Sequence, residues 1–226
     1  MRVVPLGDLA AYVEFSPILD LEVNALVQRL GAALLARADP ALRDVVPALG
    51  GIALHFAPRF AGRPLEAAAA LVEECLEALP PAAQVGRDIE IPVCYAPAFA
   101  LDLDEVAART QLSPGEVALR HGAAEYRVLM IGFSPGHAYL GGLDARLSVP
   151  RRATPRALVP AGSVAIANRQ SVVYPYAISG GWSVIGRTPV RVFDAARASP
   201  SLFGPGDRVR FRAISLEEFA ALEAGA

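Results

Sequence analysis

This sequence has no lysine. All 21 of its basic residues are arginine. The absence excludes a P-loop lysine, a lysine Schiff base and a Ser-Lys dyad. Any anion site must be built from arginine, histidine, hydroxyls or backbone N–H groups. Cysteine is scarce too. Cys75 and Cys94 stand alone, outside any CxxC pair or zinc spacing, and read as small buried hydrophobes. No run of about 18 apolar residues occurs, so no membrane-spanning helix is expected. Met1 to Phe15 lacks the charged, apolar and cleavage regions of a signal peptide, so a cytoplasmic protein is expected. The arginines are not interleaved with aromatics in a recognisable DNA- or RNA-binding module, and nucleic acid is not an expected partner.

What is present is an apolar chain, 54% hydrophobic, of 226 residues. That length holds two small domains or one large one. The net charge of −2 hides a split. Residues 1–126 carry 9 arginines against 17 acidic residues, and residues 127–212 carry 12 arginines against three. A basic second half points to an anionic ligand or an acidic partner face.

The first half reads as ββαββα. Val3-Val4 and Ala10 to Phe15 flank a turn at Pro5 to Asp8, as in a hairpin. Asp20 is a helix N-cap, followed by leucines and valines at helical spacing. Strands are predicted over Leu42 to Val46 and Ile52 to Phe56. Pro64 opens a second helix that stops before Pro80-Pro81. Residues 80–86 read as a linker. A strand is then predicted over Ile89 to Tyr95 and a helix over Leu103 to Thr110. A further helix begins at Ser113-Pro114 with a capping box to Glu116. Beyond Gly122, short β-rich runs sit between glycines and prolines: Tyr126 to Phe133, Val164 to Ala167, Ser171 to Tyr174, Trp182 to Ile185, Val190 to Phe193 and Arg208 to Phe211. That texture is a barrel or sandwich. Ser215 to Leu222 reads as a terminal helix. The expected domains are 1–85, 88–214 and a tail at 215–226.

Three motifs have chemical readings. Gly132-Phe133-Ser134-Pro135-Gly136 spells a GxSxG nucleophile elbow, but the residue after the serine must donate its N–H to an oxyanion, and Pro135 has none. It reads as a tight turn. Of the three histidines, His55 reads as structural and His121 as a cation suited to a helix C-terminus. His137, on a loop beside Tyr139 and Gly141-Gly142, is a functional candidate. Pro150-Arg151-Arg152-Ala153-Thr154-Pro155-Arg156 is a stiff, arginine-rich segment able to grip a carboxylate or phosphate.

Together these runs match a known pattern. Ile131 to Leu143 resembles "GFxPGFxYLGGL", and Pro150 to Arg156 resembles "PRxxxPR". Val159 to Ile166 resembles "VPAGSVAI", Gly180 to Pro189 "GGWxxIGRTP", and Gly206 to Val209 "PGDxV". With the N-terminal segments Pro5 to Phe15 and Asp44 to Phe56, the chain resembles the family of KipI, allophanate hydrolase subunit 1 and the B subunit of 5-oxoprolinase. The resemblance implies an α+β fold: an N-terminal α+β domain and a cyclophilin-like β-barrel domain. It implies a subunit that pairs with a KipA / allophanate hydrolase subunit 2-type protein and a LamB-like subunit. The resulting ATP-dependent 5-oxoprolinase uses ATP with Mg²⁺, held by the complex, to open a small anionic lactam. It also implies two alternatives, a KipI-like inhibitor of a sensor histidine kinase and an allophanate- or urea-processing subunit. The chain departs from the pattern at His137, where the family has phenylalanine, and over Asn168 to Gly180, where Gln170, Tyr174 and Pro175 of the family's loop remain but Ser171-Val172 replaces Thr-Gly and Ser179 replaces a proline. The expected catalytic residues are His137, Tyr139, Gln170 and Tyr174. The expected anion-binding residues are Arg151, Arg152, Arg156 and Arg187, taken as exposed and of little consequence for folding.

Overall fold

The structure, a computed structural model, describes residues 1–60, 62–80 and 86–225. It is an α+β fold that divides into two compact units, Met1–Val85 and Gly86–Ala226. Residues 81–85 of the expected linker lie outside the described residues.

The first unit runs β1 (Arg2–Pro5), β2 (Ala10–Glu14), α1 (Leu21–Ala36), β3 (Leu42–Pro47), β4 (Gly51–Phe56) and α2 (Pro64–Glu77). The sheet order is β1-β2-β4-β3, antiparallel throughout. Alternation decides which face is buried. Ala11 and Val13 of β2, with Ile52, Leu54 and Phe56 of β4, pack against Val27, Leu30 and Leu34 of α1 and Val72 of α2. The Asp20 carboxylate caps α1 by accepting from Glu22 N at 2.9 Å and Val23 N at 3.1 Å. Gly31 lets α1 approach β3 closely, since a Cβ there would lie 2.5 Å from Pro47 Cγ.

The second unit begins with β5 (Asp88–Val93), α3 (Leu103–Thr110), α4 (Pro114–Ala123), β6 (Glu125–Ile131) and β7 (Ala138–Gly141). It continues with β8 (Arg156–Val159), β9 (Ser163–Ala167), β10 (Gln170–Val173), β11 (Ile178–Gly180), β12 (Ser183–Arg187), β13 (Arg208–Ala213) and α5 (Leu216–Ala224). Seven strands form one sheet in the order β12-β9-β10-β7-β6-β13-β5, and β8 and β11 form a separate ribbon. The large sheet curls until its ends meet. Cys94 N donates to the Arg187 carbonyl at 2.8 Å, and Arg187 N donates to the Cys94 carbonyl at 3.0 Å. Closure satisfies backbone groups that an open edge would leave unpaired. One face of the sheet carries the main core, including Val93, Val106, Val117, Leu140, Ile166, Ile185 and Phe211. The other face carries Ala165, Ala167, Val172, Tyr174, Trp182 and Val184, packed with Tyr139. Helix α5 belongs to this unit, since Phe219 packs with Cys94 and Ile214. Both cysteines are free and buried.

One expected strand does not form. Val190 to Phe193 is irregular; a Phe193–Ser201 bridge and a hydrogen bond from Leu202 N to the Val192 carbonyl at 2.9 Å hold it. Pro189 starts it without a ladder donor, and its residues line a cleft instead. Conversely β7, β8 and β11 lie in stretches too crowded with glycine and proline to show a strand period. No helix among the described residues is long and apolar enough to cross a membrane.

Candidate functional site

Strand alternation sorts the candidate residues. On β10 and just beyond it, Gln170, Val172 and Tyr174 point to one face, and Ser171 and Val173 to the other. Register places Tyr139 of β7 opposite Val172, so Tyr139 shares the Gln170–Tyr174 face. His137, two residues before Tyr139, joins the same face.

An aromatic cluster results. The His137 ring centroid lies 5.4 Å from Phe133, 5.0 Å from Tyr139 and 5.5 Å from Tyr174, and Tyr139 lies 6.0 Å from Trp182. His137 is only 3% exposed and its Nδ1 has no partner. Burial pushes its pKa down to about 4, so the ring is neutral at physiological pH. Burial pushes the Tyr139 and Tyr174 phenols up, with Arg151 acting against this, and both remain protonated. Gln170 is buried at the far end of the row, its Nε2 without a partner. The turn before His137 has Phe133 at φ 71° and Gly136 at φ 75°, and His137 N donates to the Ser134 carbonyl at 3.1 Å. It is the tight turn the sequence implies, not an elbow presenting a serine.

Glycine makes room for Tyr174. A Cβ at Gly180 would lie 2.2 Å from the Tyr174 hydroxyl and 2.7 Å from Cζ. Gly180→Ala is therefore expected to lose about 1–3 kcal/mol by overpacking. Thermal melts and near-UV circular dichroism will show it. An unchanged melt with an unchanged aromatic spectrum would mean that the tyrosine is free to move.

The four candidate arginines do not converge. Arg152 and Arg156 meet a buried carboxylate, Asp102, which is 3% exposed. Arg156 grips it bidentately, Nη1 to Oδ2 at 2.7 Å and Nη2 to Oδ1 at 2.6 Å. Arg152 Nη1 reaches Oδ1 at 2.7 Å and Glu105 at 2.8 Å, and Val184 N donates to Oδ2 at 2.7 Å. These two arginines are thus part-buried and engaged by Asp102, which corrects the expectation that they are exposed. Their charges are already matched in a partly buried site. Arg151 is exposed beside Gly181. Arg187 lines a separate cleft of about 590 Å³ with Tyr174, Tyr176, Thr188 and Phe193.

Sequence reasoning does not single out Asp102. The available signal is an acidic residue at the N-cap of α3 in a chain whose arginines cluster elsewhere. Its side chain makes no capping bond, being committed to the arginines. His121 also differs from expectation. It is fully buried, with Nδ1 2.7 Å from the Tyr95 hydroxyl and Nε2 2.9 Å from Ser171 Oγ. Burial pushes its pKa down to about 3, so it is a neutral core group, not a charged helix cap. The helix end it occupies is packed against Phe211, where a cation would be desolvated.

The family described as "Carboxyltransferase domain, subdomain C and D" matches residues 1–203, and the chain belongs to it. Within it the chain falls in the group of KipI and the B subunit of 5-oxoprolinase. It is 37% identical over 229 residues to a Bacillus subtilis (strain 168) protein named as the B subunit of 5-oxoprolinase, covering 97% of this chain and 95% of that one. It is 41% identical over 208 residues to the protein of the same name from Escherichia coli O157:H7, covering 91% and 93%. Among solved structures it resembles TTHA0988 with a TM-score of 0.79 and 37% identity, covering 91% of this chain and 40% of that one. The chain thus spans about two fifths of TTHA0988.

Proposed function

We propose that this chain is the B-type component of an ATP-dependent 5-oxoprolinase complex, acting with a KipA / allophanate hydrolase subunit 2-type protein and a LamB-like subunit. The observation that carries the reading is the near full-length match, at 37% and 41% identity, to proteins named as the B subunit of 5-oxoprolinase. In the proposed reaction ATP phosphorylates the lactam oxygen of 5-oxoproline. One water adds at the activated carbon and the C–N bond opens. The nitrogen takes a proton and an acyl phosphate is left, which a second water hydrolyses to give glutamate and phosphate beside the ADP.

The residues of this chain fit a binding and orienting role. Tyr139 and Tyr174 are held as neutral phenols, and the Gln170 amide nitrogen is buried beside them without a partner. His137 is neutral and nearly closed off by its aromatic neighbours, which suits shaping the row more than moving a proton to solvent. ATP and Mg²⁺ are assigned to the complex, as the family resemblance implies.

Co-expression of the three subunits followed by an assay for ATP-dependent 5-oxoproline cleavage tests the proposal. The complex is expected to release glutamate and phosphate in equal amounts, and this chain alone to release neither. A well-folded complex without turnover would refute the reading.

A further inference from the structure

The cleft beside Arg187 offers a guanidinium environment unlike that of Arg152 and Arg156. The backbone of Arg187 is fixed by the paired hydrogen bonds to Cys94 that close the sheet. Its Nε donates to the Ala161 carbonyl at 3.0 Å. Its guanidinium carbon lies 5.6 Å from the Phe99 ring centroid and 5.9 Å from that of Phe219. Rings engage the face of a guanidinium and leave its in-plane N–H groups free. Among the described residues Arg187 has no carboxylate partner, whereas Arg152 and Arg156 share Asp102. The nearby carboxylate of Asp194 faces Arg191 at 3.8 Å and Arg197 at 3.7 Å. The result is a held fork of donors with unused capacity, lining a cleft with Tyr176, Phe193 and Glu223.

We propose that Arg187 reads the carboxylate of a small cyclic amide acid bound in this cleft, with the Tyr176 and Phe193 rings, centroids 5.6 Å apart and tilted 59° to one another, as the apolar corner against which the amide ring packs. The assignment rests on the 5-oxoprolinase reading above and adds the group that selects an acid over a neutral lactam. A pre-organised guanidinium loses little entropy on binding, and its planar fork matches a carboxylate's two oxygens. Lysine could not reproduce that geometry.

The test uses the complete complex with Arg187→Gln and Arg187→Lys, and two substrates: 5-oxoproline and 2-pyrrolidinone, the same ring without the carboxylate. Arg187→Gln is expected to raise KM for 5-oxoproline roughly 10- to 100-fold, the range for one charge-assisted contact, with kcat changed far less. Arg187→Lys should recover only part of the loss. The ratio of kcat/KM for 5-oxoproline to that for 2-pyrrolidinone should collapse in Arg187→Gln. An equal loss on both substrates, or no change in KM, would overturn the assignment. Calorimetric titration of 5-oxoproline into the wild-type and variant complexes without ATP gives a readout independent of turnover. Binding that weakens in Arg187→Gln supports the assignment even if the complex proves to catalyse another reaction, and equal binding overturns it. Thermal melts separate both outcomes from misfolding.

Discussion

Asp102→Ala is expected to lower the unfolding free energy by about 3–5 kcal/mol, the cost of breaking a buried charge network from one side. The carboxylate accepts four hydrogen bonds, from Arg152, twice from Arg156 and from Val184 N. Removing it leaves two part-buried guanidinium groups, each with 26% of its side chain exposed, facing one another without that counter-charge. It also frees the start of β12. Arg156→Ala should cost less, about 1.5–3 kcal/mol, because Asp102 keeps Arg152 and the backbone donor. Arg151→Ala, at an exposed position, should change stability by no more than about 0.5 kcal/mol. Urea denaturation of the three variants decides this. An unchanged midpoint for Arg156→Ala together with weakened ligand binding would restore the reading of this segment as an anion site.

Acid should destabilise the protein well above the range where carboxylates titrate. An unfolded imidazole takes up its proton near pH 6.5. In the folded chain the same event waits until about pH 3 for His121 and about pH 4 for His137, in both cases because burial penalises the charged ring. Between those limits the unfolded state holds more protons, so stability falls as pH falls. The contribution is complete about one unit above pH 6.5 and, once well below it, shrinks by about 1.4 kcal/mol per pH unit for each ring. The two together predict a loss of about 3 kcal/mol between pH 6.5 and pH 5. His137→Phe removes one of the two titrations, and its stability should depend on pH about half as steeply over that interval. Urea midpoints at pH 7, 6 and 5 for both proteins measure the slopes. Identical slopes would show that His137 takes up a proton in the folded state and that its pocket opens to water.

Much of the architecture is legible in local sequence. Asp20 and Ser113 announce their helices because a cap is a contact within a few residues. The alternation of β2 and β4 announces a half-buried sheet because side-chain direction is set by the strand itself. The turn at Ser134–Gly136 can be told from a nucleophile elbow because a missing N–H is a covalent property of Pro135. The aromatic row is only partly legible: Tyr174 ends a strand expected from the sequence, but Tyr139 lies on β7, which shows no strand period, and only the register between strands brings Tyr139, His137 and Tyr174 to one face.

The fate of the arginines is not legible. Arg152 and Arg156 lie 50 and 54 residues from Asp102, and Arg187 meets rings on two separate segments, at Phe99 before it and Phe219 after it. Sequence alone established that this chain has only guanidinium groups, besides histidine, as side-chain cations for an anion, and that most of them lie in its second half. Tertiary structure decided which are already committed to a buried carboxylate and which is left facing a cleft. The reason is electrostatic: a guanidinium is committed by whichever charge the fold brings within hydrogen-bond distance, and chain order carries no such distance.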